Sequence, residues 1–503
     1  MRSISSRSSS GKAETTFLFC GLTEEKRYDM IEAIHFKGFL VLKEELSDII
    51  NLLGIVISVE KSRRITSLNQ IVKYFENQKK PSDDLRVGIE IEKLGVISDS
   101  GKAIPYFGDG GIETLLQVMS EKFGWKIVRE KGVIIALSRN GVLITLEPGG
   151  QLELSSIYYP KIKTLANEFD DYIREIKEIA EFFHIRFLGL GIQPFNRVDE
   201  IEWVPKGRYR IMSRYLKERG ELGHRMMKQT AAIQATYDYT SEEDAMEKLR
   251  VSLGVSSLVT AMLANSPISG GKLNGFMSKR ASIWLDTDPE RCGLIEKAFS
   301  PGFSFKDYVD YIAGLPMMFI KRDDWVPFYK TTFRDYIEKG CEGYFPTVED
   351  FELHLTTIFN EVRIKQYIEV RGGDAPPPRL LLAVPALWKG ILYHQGARDA
   401  AWKLVKDLRF EERLKLMEDV SRYGLDAKIR DKKVLDFAEE LLRISKEGLR
   451  KIKEISGEDE SSYLSPLEEL IFEDRTCPAG LLVKEWEKGL KKDPKKLVEY
   501  CSY

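Results

Sequence analysis

Cysteine and histidine are scarce in this sequence, with five of each among 503 residues. The cysteines, Cys20, Cys292, Cys341, Cys477 and Cys501, are widely spaced, odd in number and without a CxxC pair. Neither a disulfide framework nor a cysteine-built zinc site is therefore predicted. The pattern fits a reducing compartment, and we expect a cytoplasmic protein.

Long apolar runs and an excess of one charge are also lacking. A membrane helix needs roughly 20 apolar residues, and the longest candidate, residues 49–57, is short and interrupted by Asn51 and Gly54. The formal net charge of −2 supplies no global basic field for nucleic acid or an anionic membrane. Residues 1–12 are rich in Ser and Arg like the beginning of a transit peptide, but acidic residues follow closely, which favours a flexible tail. We expect no nucleic acid or membrane partner.

The composition, with 43% hydrophobic and 31% charged residues, is that of a folded globular protein. Residues 1–60 are interpreted as an N-terminal extension of unknown role with an amphipathic helix at 44–53. In residues 61–503, predicted strands are separated by helices, which indicates an α+β architecture. The clearest predicted elements are helices at 66–78, 112–123, 162–183 and 242–263, a hairpin of strands 133–137 and 142–146 across Asn140-Gly141, and strands at 187–192 and 231–239.

Three stretches alternate apolar and polar residues as a strand with one polar face does. In the first, Val87, Ile89 and Ile91 lie opposite Glu90 and Glu92. The other two are residues 145–155, whose polar groups include Glu147, Gln151 and Glu153, and residues 367–371, which include Glu369 and Arg371. The strand at 231–239 resembles them. Together they predict one sheet with an acidic face.

Carboxylates gathered on one sheet face repel one another by roughly 1 to 4 kcal/mol for each close pair, depending on the local dielectric. A cation is therefore expected among them. Oxygen ligands without neighbouring His or Cys suit Mg²⁺ or Mn²⁺ better than zinc, and Mg²⁺ held by few protein ligands usually carries substrate phosphates as well. The alternative for any single strand is an acidic face exposed to solvent, and three such strands together argue against it.

The irregular polar segment between residues 264 and 293 is a second candidate region, because long polar loops often carry function. Gly270-Gly271-Lys272 lacks the GxxxxGK[ST] frame of a phosphate-binding loop. Asp286 and Asp288 are candidates for a metal or for helix capping. Arg280 and Arg291 either pair with a substrate carboxylate or neutralise these aspartates, and the sequence leaves both readings open. Upstream, the glycine pair at 189 and 191 lacks the rest of a dinucleotide fingerprint and is interpreted as packing.

Many motifs match one enzyme family in order and spacing. From about residue 65 to the C-terminus the chain closely resembles the glutamate-cysteine ligases of the plant and proteobacterial type, so residues 61–503 are interpreted as their catalytic domain. The motifs are Gly88-x-Glu90-x-Glu92-Lys93, Glu147-Pro148-Gly149-Gly150-Gln151 with Glu153-Leu154-Ser155, Pro205-Lys206-Gly207-Arg208-Tyr209, Ala264-Asn265-Ser266-Pro267, Asn274-Gly275-Phe276, Ile283-Trp284-x-Asp286-Thr287-Asp288, His354-Leu355-Thr356-Thr357-Ile358-Phe359 with Glu361-Val362-Arg363, and Arg475-Thr476-x-Pro478-Ala479.

The resemblance implies a glutamine-synthetase-like carboxylate-amine ligase fold, in which a curved, mainly antiparallel sheet has helices packed on its convex face. It also implies the ATP-dependent ligation of the L-glutamate γ-carboxylate to the L-cysteine amine through γ-glutamyl phosphate, which is the first step of glutathione biosynthesis. The implied cofactors are ATP and Mg²⁺, with Mn²⁺ as the alternative metal. The implied partners are small-molecule substrates, and we expect a monomer or a homodimer.

The same resemblance implies a metal shell and two catalytic arginines. Arg371 would stabilise the transferring phosphoryl group, and Arg363 would do the same, although a structural ion pair fits Arg363 equally well. The metal-shell candidates are Glu90, Glu92, Glu147, Gln151, Glu153 and Glu369, with Gln234 as a weaker one.

Substrate contacts are assigned by resemblance to five further residues. Arg208 and Tyr209 would contact nucleotide or substrate, and Arg291 or Arg280 would bind the glutamate α-carboxylate. Trp388 resembles the pocket tryptophan of the family, with core packing as the alternative.

Two departures limit what the resemblance implies. Where the family often reads Gly-Thr-Glu-His-Glu-Lys, this chain has Ile89 and Ile91, which leaves both carboxylates in place. The disulfide switch of plant members has no evident counterpart among these cysteines. A pocket discriminates one methylene or hydroxyl by only about 1 to 3 kcal/mol, so one alternative is a γ-glutamyl ligase that uses a different amine. A second alternative is a non-catalytic homologue.

Overall fold

Nine strands build the main sheet of the protein, whose computed structural model describes residues 62–503. The predicted N-terminal extension and its helix at 44–53 lie outside these residues. The strands of the main sheet are β1 (Val87–Ile97), β2 (Lys126–Glu130), β3 (Val133–Arg139), β4 (Val142–Leu146), β5 (Leu152–Ser155), β6 (Ile185–Leu188), β7 (Ala232–Tyr237), β14 (Val362–Ile364) and β15 (Ile368–Asp374). The others form small two-stranded pairs: β8 (Ile268–Ser269), β9 (Lys272–Leu273), β10 (Cys292–Gly293), β11 (Phe319–Lys321), β12 (Trp325–Pro327), β13 (Phe359–Asn360), β16 (Lys428–Ile429) and β17 (Lys432–Lys433).

Neighbouring strands of the main sheet are antiparallel, in the order β14-β15-β7-β1-β5-β4-β3-β2. The central strand β1 is 11 residues long. Its first part pairs with β7 and β5, and its last four residues pair with β6. The predicted α+β class with a mainly antiparallel sheet is confirmed.

Alternation along β1 separates an apolar face from an acidic one, as predicted. Val87, Ile89 and Ile91 are at most 1% exposed, which places them in the core behind the sheet. On the same face of β7, the Tyr237 hydroxyl donates to the carbonyl of Pro385 in a helix behind the sheet. The polar face is thereby left for the site.

The strands β3 and β4 form the predicted hairpin. Asn140 has φ 51° and Gly141 has φ 88°, so both residues of the connection adopt the positive φ that an Asn-Gly turn tolerates. The hairpin is confirmed, and β4 ends directly before Glu147.

Helices surround the sheet, and the predicted helices at 112–123 and 242–263 are confirmed with these bounds. The helices Glu242–Leu263 (α6) and Ala383–Leu392 (α11) pack on β15 and β7, respectively. The helices are α1 (Leu68–Glu76), α2 (Ile112–Phe123), α3 (Ile162–Phe182), α4 (Gly207–Lys217), α5 (Gly223–Gln229), α6 (Glu242–Leu263), α7 (Lys279–Trp284), α8 (Phe305–Ala313), α9 (Phe333–Lys339), α10 (Val348–Leu355), α11 (Ala383–Leu392), α12 (Gln395–Val405), α13 (Phe410–Tyr423), α14 (Val434–Ser456), α15 (Ser465–Glu468), α16 (Pro478–Lys488) and α17 (Pro494–Cys501).

The predicted strand at 187–192 is placed slightly too late, since β6 spans Ile185–Leu188. The two glycines after it serve close packing. A Cβ atom on Gly189 would lie 2.4 Å from the carbonyl oxygen of Pro376, and one on Gly191 would lie 2.5 Å from Cγ of Asp374. Both approaches require glycine.

In residues 62–503, no helix is long and apolar enough to cross a membrane. The described cysteines, Cys292, Cys341, Cys477 and Cys501, are free. Burial raises the pKa of Cys477 to about 11 and the pKa values of Cys292 and Cys501 to about 12. These three thiols are therefore protonated and unreactive near neutral pH.

Candidate active site

The polar face of the sheet lines a cavity of about 250 Å³. Strand register sets its acidic part, because Glu92 of β1 lies opposite Glu153 of β5, which in turn lies opposite Thr145 of β4. Glu90 lies opposite Gln234 of β7. The structure thus brings together acidic residues that are about sixty positions apart in the chain.

The loop after β4 brings Glu147 to the same cavity. The Gln151 Oε1 atom accepts a hydrogen bond from the Gly149 amide (2.9 Å), and its Nε2 donates to the Thr230 carbonyl (2.7 Å). A Cβ on Gly149 would lie 2.3 Å from the carbonyl oxygen of Lys228, so this approach requires glycine. Gln151 therefore shapes the loop that presents Glu147, and both ends of its amide are already engaged.

Burial and mutual repulsion raise the pKa values of the acidic groups. The pKa of Glu90 rises to about 7 through burial and then the charge of Glu369, and that of Glu92 rises well above its usual range through burial and then Glu147. Burial also raises the pKa of Glu153, although its carboxylate accepts a hydrogen bond from Thr145. The surrounding protein therefore does not supply enough positive charge to balance these three carboxylates.

A divalent cation fits this donor set. Its side chains offer oxygen atoms, which are the ligands that Mg²⁺ and Mn²⁺ prefer. Among residues 62–503, however, no three acidic, His or Cys side chains are already arranged to hold a metal ion. The cation would therefore have to draw the carboxylates together.

A basic group occupies the other part of the cavity. Here Glu369 is fully buried and pairs with Arg363 (2.8 Å), Lys365 (3.1 Å) and Arg371. Burial alone would raise the pKa of Glu369, but these three cations hold it well below its usual range. The Arg371 Nη1 atom also donates to Gln234 Oε1 (2.5 Å). Glu369 is therefore a counter-ion that anchors cations, which corrects its predicted role as a metal ligand.

The donors of Arg363 are directed at protein groups. Its Nε and Nη2 atoms donate to Glu369, and its Nη1 atom lies within hydrogen-bonding distance of three carbonyl oxygens. This arrangement favours the alternative reading of Arg363 as a structural ion pair. It stiffens the basic part of the cavity, and Arg371 remains the stronger candidate for contact with substrate.

Three side chains that line the cavity each carry a buried donor atom with no partner among residues 62–503: Arg208 Nε, Arg280 Nε and Trp284 Nε1. A buried donor without an acceptor costs about 1 to 3 kcal/mol. Arg208 and Arg280 also bring two positive charges to the cavity wall, which favours an anionic ligand. Lys206 adds a cation near the acidic part, and burial followed by repulsion from Arg208 lowers its pKa to about 8.

An apolar patch completes the lining and was not foreseen from the sequence. Its members are Met212, Met226, Met227, Trp284 and Phe359. They come from three helices and the short strand β13 in separate parts of the chain. Trp284 and Phe359 lie in recognised motifs, but no local pattern marks the three methionines. Two lining lysines, at 206 and 365, were also missed, although both lie in or beside recognised motifs.

Arg291 does not reach the cavity, which corrects its predicted role at the glutamate α-carboxylate. Its side chain is fully buried and donates to Asp288 (2.7 Å), the Tyr215 hydroxyl (2.6 Å) and the Pro316 carbonyl (2.7 Å). Arg280, only 11 positions earlier in the sequence, does line the cavity. The structure therefore separates the two arginines that the sequence left equivalent.

Two other predicted substrate contacts are also corrected. Trp388 lies in α11 behind the sheet beside Ile233 and Val370, so the core-packing alternative applies. Tyr209 is buried, and its hydroxyl donates to the carbonyl of Leu146. It supports the end of β4 and does not line the cavity.

In the polar segment between residues 264 and 293, the glycine pair and both aspartates lie outside the cavity. Gly270 and Gly271 form the turn between β8 and β9 and do not line the cavity. Asp288 pairs with Arg291, while Asp286 accepts a hydrogen bond from the Glu221 amide (3.3 Å). Neither aspartate lines the cavity, so their role is structural.

Comparisons with known proteins agree with this geometry. The sequence profile of Glutamate-cysteine ligase family 2 matches residues 86–492. The chain is 37% identical over 428 residues to the chloroplastic glutamate--cysteine ligase of Medicago truncatula, covering 84% of this chain and 83% of that protein. It is 38% identical over 421 residues to the chloroplastic glutamate--cysteine ligase A of Oryza sativa subsp. japonica, covering 83% and 84%. The Arabidopsis thaliana protein is 37% identical over 432 residues, covering 84% and 81%.

A solved structure supports the fold. The glutamate--cysteine ligase of Francisella tularensis in complex with AMP matches with a TM-score of 0.50 at 15% identity, covering 84% of this chain and 88% of that one. The predicted ligase fold is confirmed. The expectation of a cytoplasmic protein is wrong, because the similar plant proteins are named as chloroplastic. By the extent of the profile match and the identity to these relatives, the chain belongs to Glutamate-cysteine ligase family 2.

Proposed function

We propose that this protein joins the γ-carboxylate of L-glutamate to the amine of L-cysteine at the expense of ATP. The glutamate oxygen attacks the terminal phosphorus of ATP, which releases ADP and forms γ-glutamyl phosphate. The cysteine nitrogen then attacks the acyl carbon, phosphate leaves, and γ-glutamylcysteine forms. One observation carries the proposal: mutually repelling carboxylates and cationic side chains line the same cavity.

That combination matches a substrate set with many negative charges. ATP and glutamate both bring anionic oxygens, which would pair with the cationic side chains of Arg208 and Arg280 in the cavity wall. They could not approach Glu92, Glu147 and Glu153 unless positive charge were added. The cavity thus has an acidic half, formed by Glu90, Glu92, Glu147 and Glu153, and a basic half, formed by Arg280, Arg363, Lys365 and Arg371. A neutral substrate would balance the charge of neither half.

The acidic half is assigned to Mg²⁺, held by Glu92, Glu147 and Glu153 with Glu90 beside them. Bound there, the metal would neutralise phosphate oxygens and polarise the transferring group. The protein itself aligns these carboxylates by strand register and by the loop that Gln151 braces. Gln151 and Glu369 are left out of the metal shell, because the Gln151 amide is engaged at both ends and Glu369 pairs with three cations.

The basic half is assigned to phosphoryl transfer and to glutamate. Arg371, fixed through Nη1 by Glu369 and Gln234, would stabilise charge on the transferring phosphoryl group. Arg280 would bind the glutamate α-carboxylate, because its guanidinium lies in the cavity wall. Lys206 and Arg208 would contact nucleotide phosphate, since both line the cavity next to the acidic half.

The side chain of the acceptor amine is matched to the apolar part of the cavity lining. We assign its side chain to the apolar patch of Met212, Met226 and Met227 with Trp284 and Phe359, whose polarisable sulfurs suit a thiol. Apolar contacts of this kind discriminate by only about 1 to 3 kcal/mol. A γ-glutamyl ligase with a different amine is therefore the second candidate.

The deciding experiment measures ADP release by the purified protein with Mg²⁺, ATP and glutamate, with and without cysteine. Mass spectrometry identifies the product. Cysteine-dependent ADP and the mass of γ-glutamylcysteine are expected. Turnover only with 2-aminobutyrate or a non-sulfur amine would replace cysteine as the acceptor. No metal-dependent ADP with any of these amines would establish a non-catalytic homologue.

Location and assembly are part of the proposal as well. The chloroplastic names of the similar plant proteins favour a plastid over the cytoplasm, and imaging of the full chain fused to a fluorescent protein tests this. A monomer or homodimer stays the prediction for assembly. Light scattering on the eluted protein distinguishes the two.

A further inference from the structure

The last residue of β15 is a buried aspartate that the proposed reaction does not use directly. Asp374 is 1% exposed. Its Oδ2 atom accepts hydrogen bonds from the Asn265 amide (2.8 Å) and the Ser266 hydroxyl (2.6 Å), and its Oδ1 atom accepts one from the Ser278 hydroxyl (2.8 Å). Asp374 lies behind the lining of the cavity.

Both serines connect Asp374 to the short helix that carries Arg280. Ser278 caps α7, because its hydroxyl oxygen accepts from the Ala281 amide (3.0 Å). The Ser266 hydroxyl oxygen accepts from the Arg280 amide (3.1 Å). Each hydroxyl thus donates to Asp374 and accepts from the first turn of α7. With six residues, α7 is too short to be stable by its own hydrogen bonds.

The carboxylate also acts on the Arg280 side chain. The Arg280 Nη1 atom lies 4.0 Å from Asp374 Oδ1, and its Nη2 atom donates to the carbonyl of Arg371 (3.0 Å). Both contacts are on β15, and they restrain one end of the guanidinium. Within the described part of the chain, no group accepts a hydrogen bond from the Nε atom.

The surroundings of Asp374 leave its carboxylate little freedom. A Cβ on Gly191 would lie 2.5 Å from Asp374 Cγ, and the Gly191 amide donates to the Asn265 carbonyl (2.9 Å). The aspartate is thus packed against glycine on one side and bonded to three donors on the other. A longer carboxylate would not fit, so glutamate cannot replace it.

We propose that Asp374 is a positioning residue for glutamate recognition, which holds α7 and the Arg280 guanidinium in the orientation that meets the glutamate α-carboxylate. The inference rests on the proposed function, which assigns Arg280 to that carboxylate. Asp374 acts through Arg280 and the two serines and touches no substrate. By this arrangement a single strand, β15, positions two of the arginines that line the cavity, Arg280 and Arg371, since it also carries Arg371 and its partner Glu369.

The test uses D374N, which keeps size and one acceptor oxygen but removes the charge. Loss of charge-assisted hydrogen bonds of this kind is expected to raise KM for glutamate about tenfold. The KM for ATP should change by no more than about twofold, because the nucleotide phosphates are assigned to Lys206 and Arg208. The KM or inhibition constant of 4-aminobutyrate, which is glutamate without its α-carboxylate, should not change.

The matched control is D350N. Asp350 is likewise fully buried, caps a helix through Thr347 and pairs with Arg322 (2.7 Å), but it lies outside the cavity. D350N is expected to lower stability without shifting the ratio of the two KM values. If D374N fails to fold, S278A, which removes one of the three donors, should show a smaller rise in KM for glutamate alone.

Two outcomes overturn the inference. The first applies if the full-chain enzyme is active and R280Q raises KM for glutamate. An unchanged KM for glutamate in both D374N and S278A would then overturn the role of Asp374, while the proposed function would stand. If R280Q leaves KM for glutamate unchanged, the glutamate contact itself is wrong, and the inference falls with it.

Discussion

The two halves of the cavity differ in how their charges are balanced. In the basic half, Arg363, Lys365 and Arg371 share the carboxylate of Glu369. In the acidic half, Glu92 lies opposite Glu153, and burial and repulsion raise the pKa values of both. The basic half is thus preorganised by the protein alone, whereas the acidic half is complete only with a bound cation.

This contrast has a mechanistic consequence. A preorganised group stabilises developing charge without rearranging at the moment of reaction. A group of repelling carboxylates instead stores unfavourable energy until a cation binds and relieves the repulsion. Changes in the acidic half should weaken Mg²⁺ binding and lower kcat, and changes in the basic half should slow phosphoryl transfer with metal still bound.

The largest effect is expected from E147Q, which removes one charge from the acidic half with almost no change in shape. We expect kcat to fall about 10²- to 10³-fold and the Mg²⁺ requirement to rise, because an electrostatic contact to the reacting phosphates is lost. ADP release across a Mg²⁺ titration measures both. E121Q on the exposed face of α2 is the control, and activity of E147Q equal to that of E121Q would remove Glu147 from the metal shell.

R371K tests the basic half and should have the next largest effect. Lysine keeps the charge but cannot bond Glu369 and Gln234 with a planar guanidinium. We expect kcat to fall about 10²-fold while the Mg²⁺ concentration for half-maximal activity stays unchanged. Steady-state kinetics at several Mg²⁺ concentrations separates the two quantities. A shift in Mg²⁺ affinity equal to that in E147Q would mean that the halves do not act separately.

In the metal-free protein, the pH dependence of the free energy of unfolding reports on Glu90 of the acidic half. Glu90 titrates at about 7 in the folded state against a usual value of 4.5, so the folded state binds more protons between about pH 4.5 and 7. Its contribution to the free energy of unfolding is therefore lost as pH rises through this window, by roughly 1 to 3 kcal/mol. His354 opposes this, because burial lowers its pKa to about 4.

The comparison that isolates Glu90 is urea unfolding of wild type and E90Q in EDTA at pH 5 and pH 7.5. E90Q should gain stability relative to wild type at pH 7.5 and not at pH 5. Added Mg²⁺ should reduce that gain, because the cation balances the charge of the wild-type carboxylate. An E90Q effect of the same size at both pH values would show that Glu90 is not destabilised by its surroundings.

The smallest effect is expected from W388F, which changes the core behind the basic half. Trp388 is 3% exposed and packs on the apolar face of the sheet. We expect a loss of about 1 to 3 kcal/mol in the free energy of unfolding with kcat and both KM values within about twofold of wild type. Thermal unfolding and steady-state kinetics measure these. A selective rise in one substrate KM would return Trp388 to the substrate pocket.

Local sequence patterns predicted much of the acidic half. A strand turns alternate side chains to opposite faces, so Glu90 and Glu92 had to share a face wherever the strand was placed. The Asn140-Gly141 turn fixed the hairpin in the same local way, and the hairpin ends beside Glu147. These predictions needed no knowledge of neighbouring strands.

The basic half could be predicted only in part. Arg280 and Arg291 lie in one polar segment and look alike in sequence, yet one lines the cavity and the other is enclosed by Asp288, Tyr215 and Pro316. Glu369 looked like the other strand glutamates, but three cations surround it. Which charges meet depends on helices and strands that are distant in the chain, and no local periodicity carries that information.

The sequence by itself determined the family, the mainly antiparallel α+β fold and the acidic strand faces, because motifs and alternation are properties of short stretches. Tertiary structure decided which glutamates repel and which are neutralised, since strand register sets Glu92 against Glu153 and places Glu369 among arginines. It also decided that Asp374, unremarkable in sequence, lies behind Arg280. Electrostatic roles depend on distance and burial, and only the folded chain sets these.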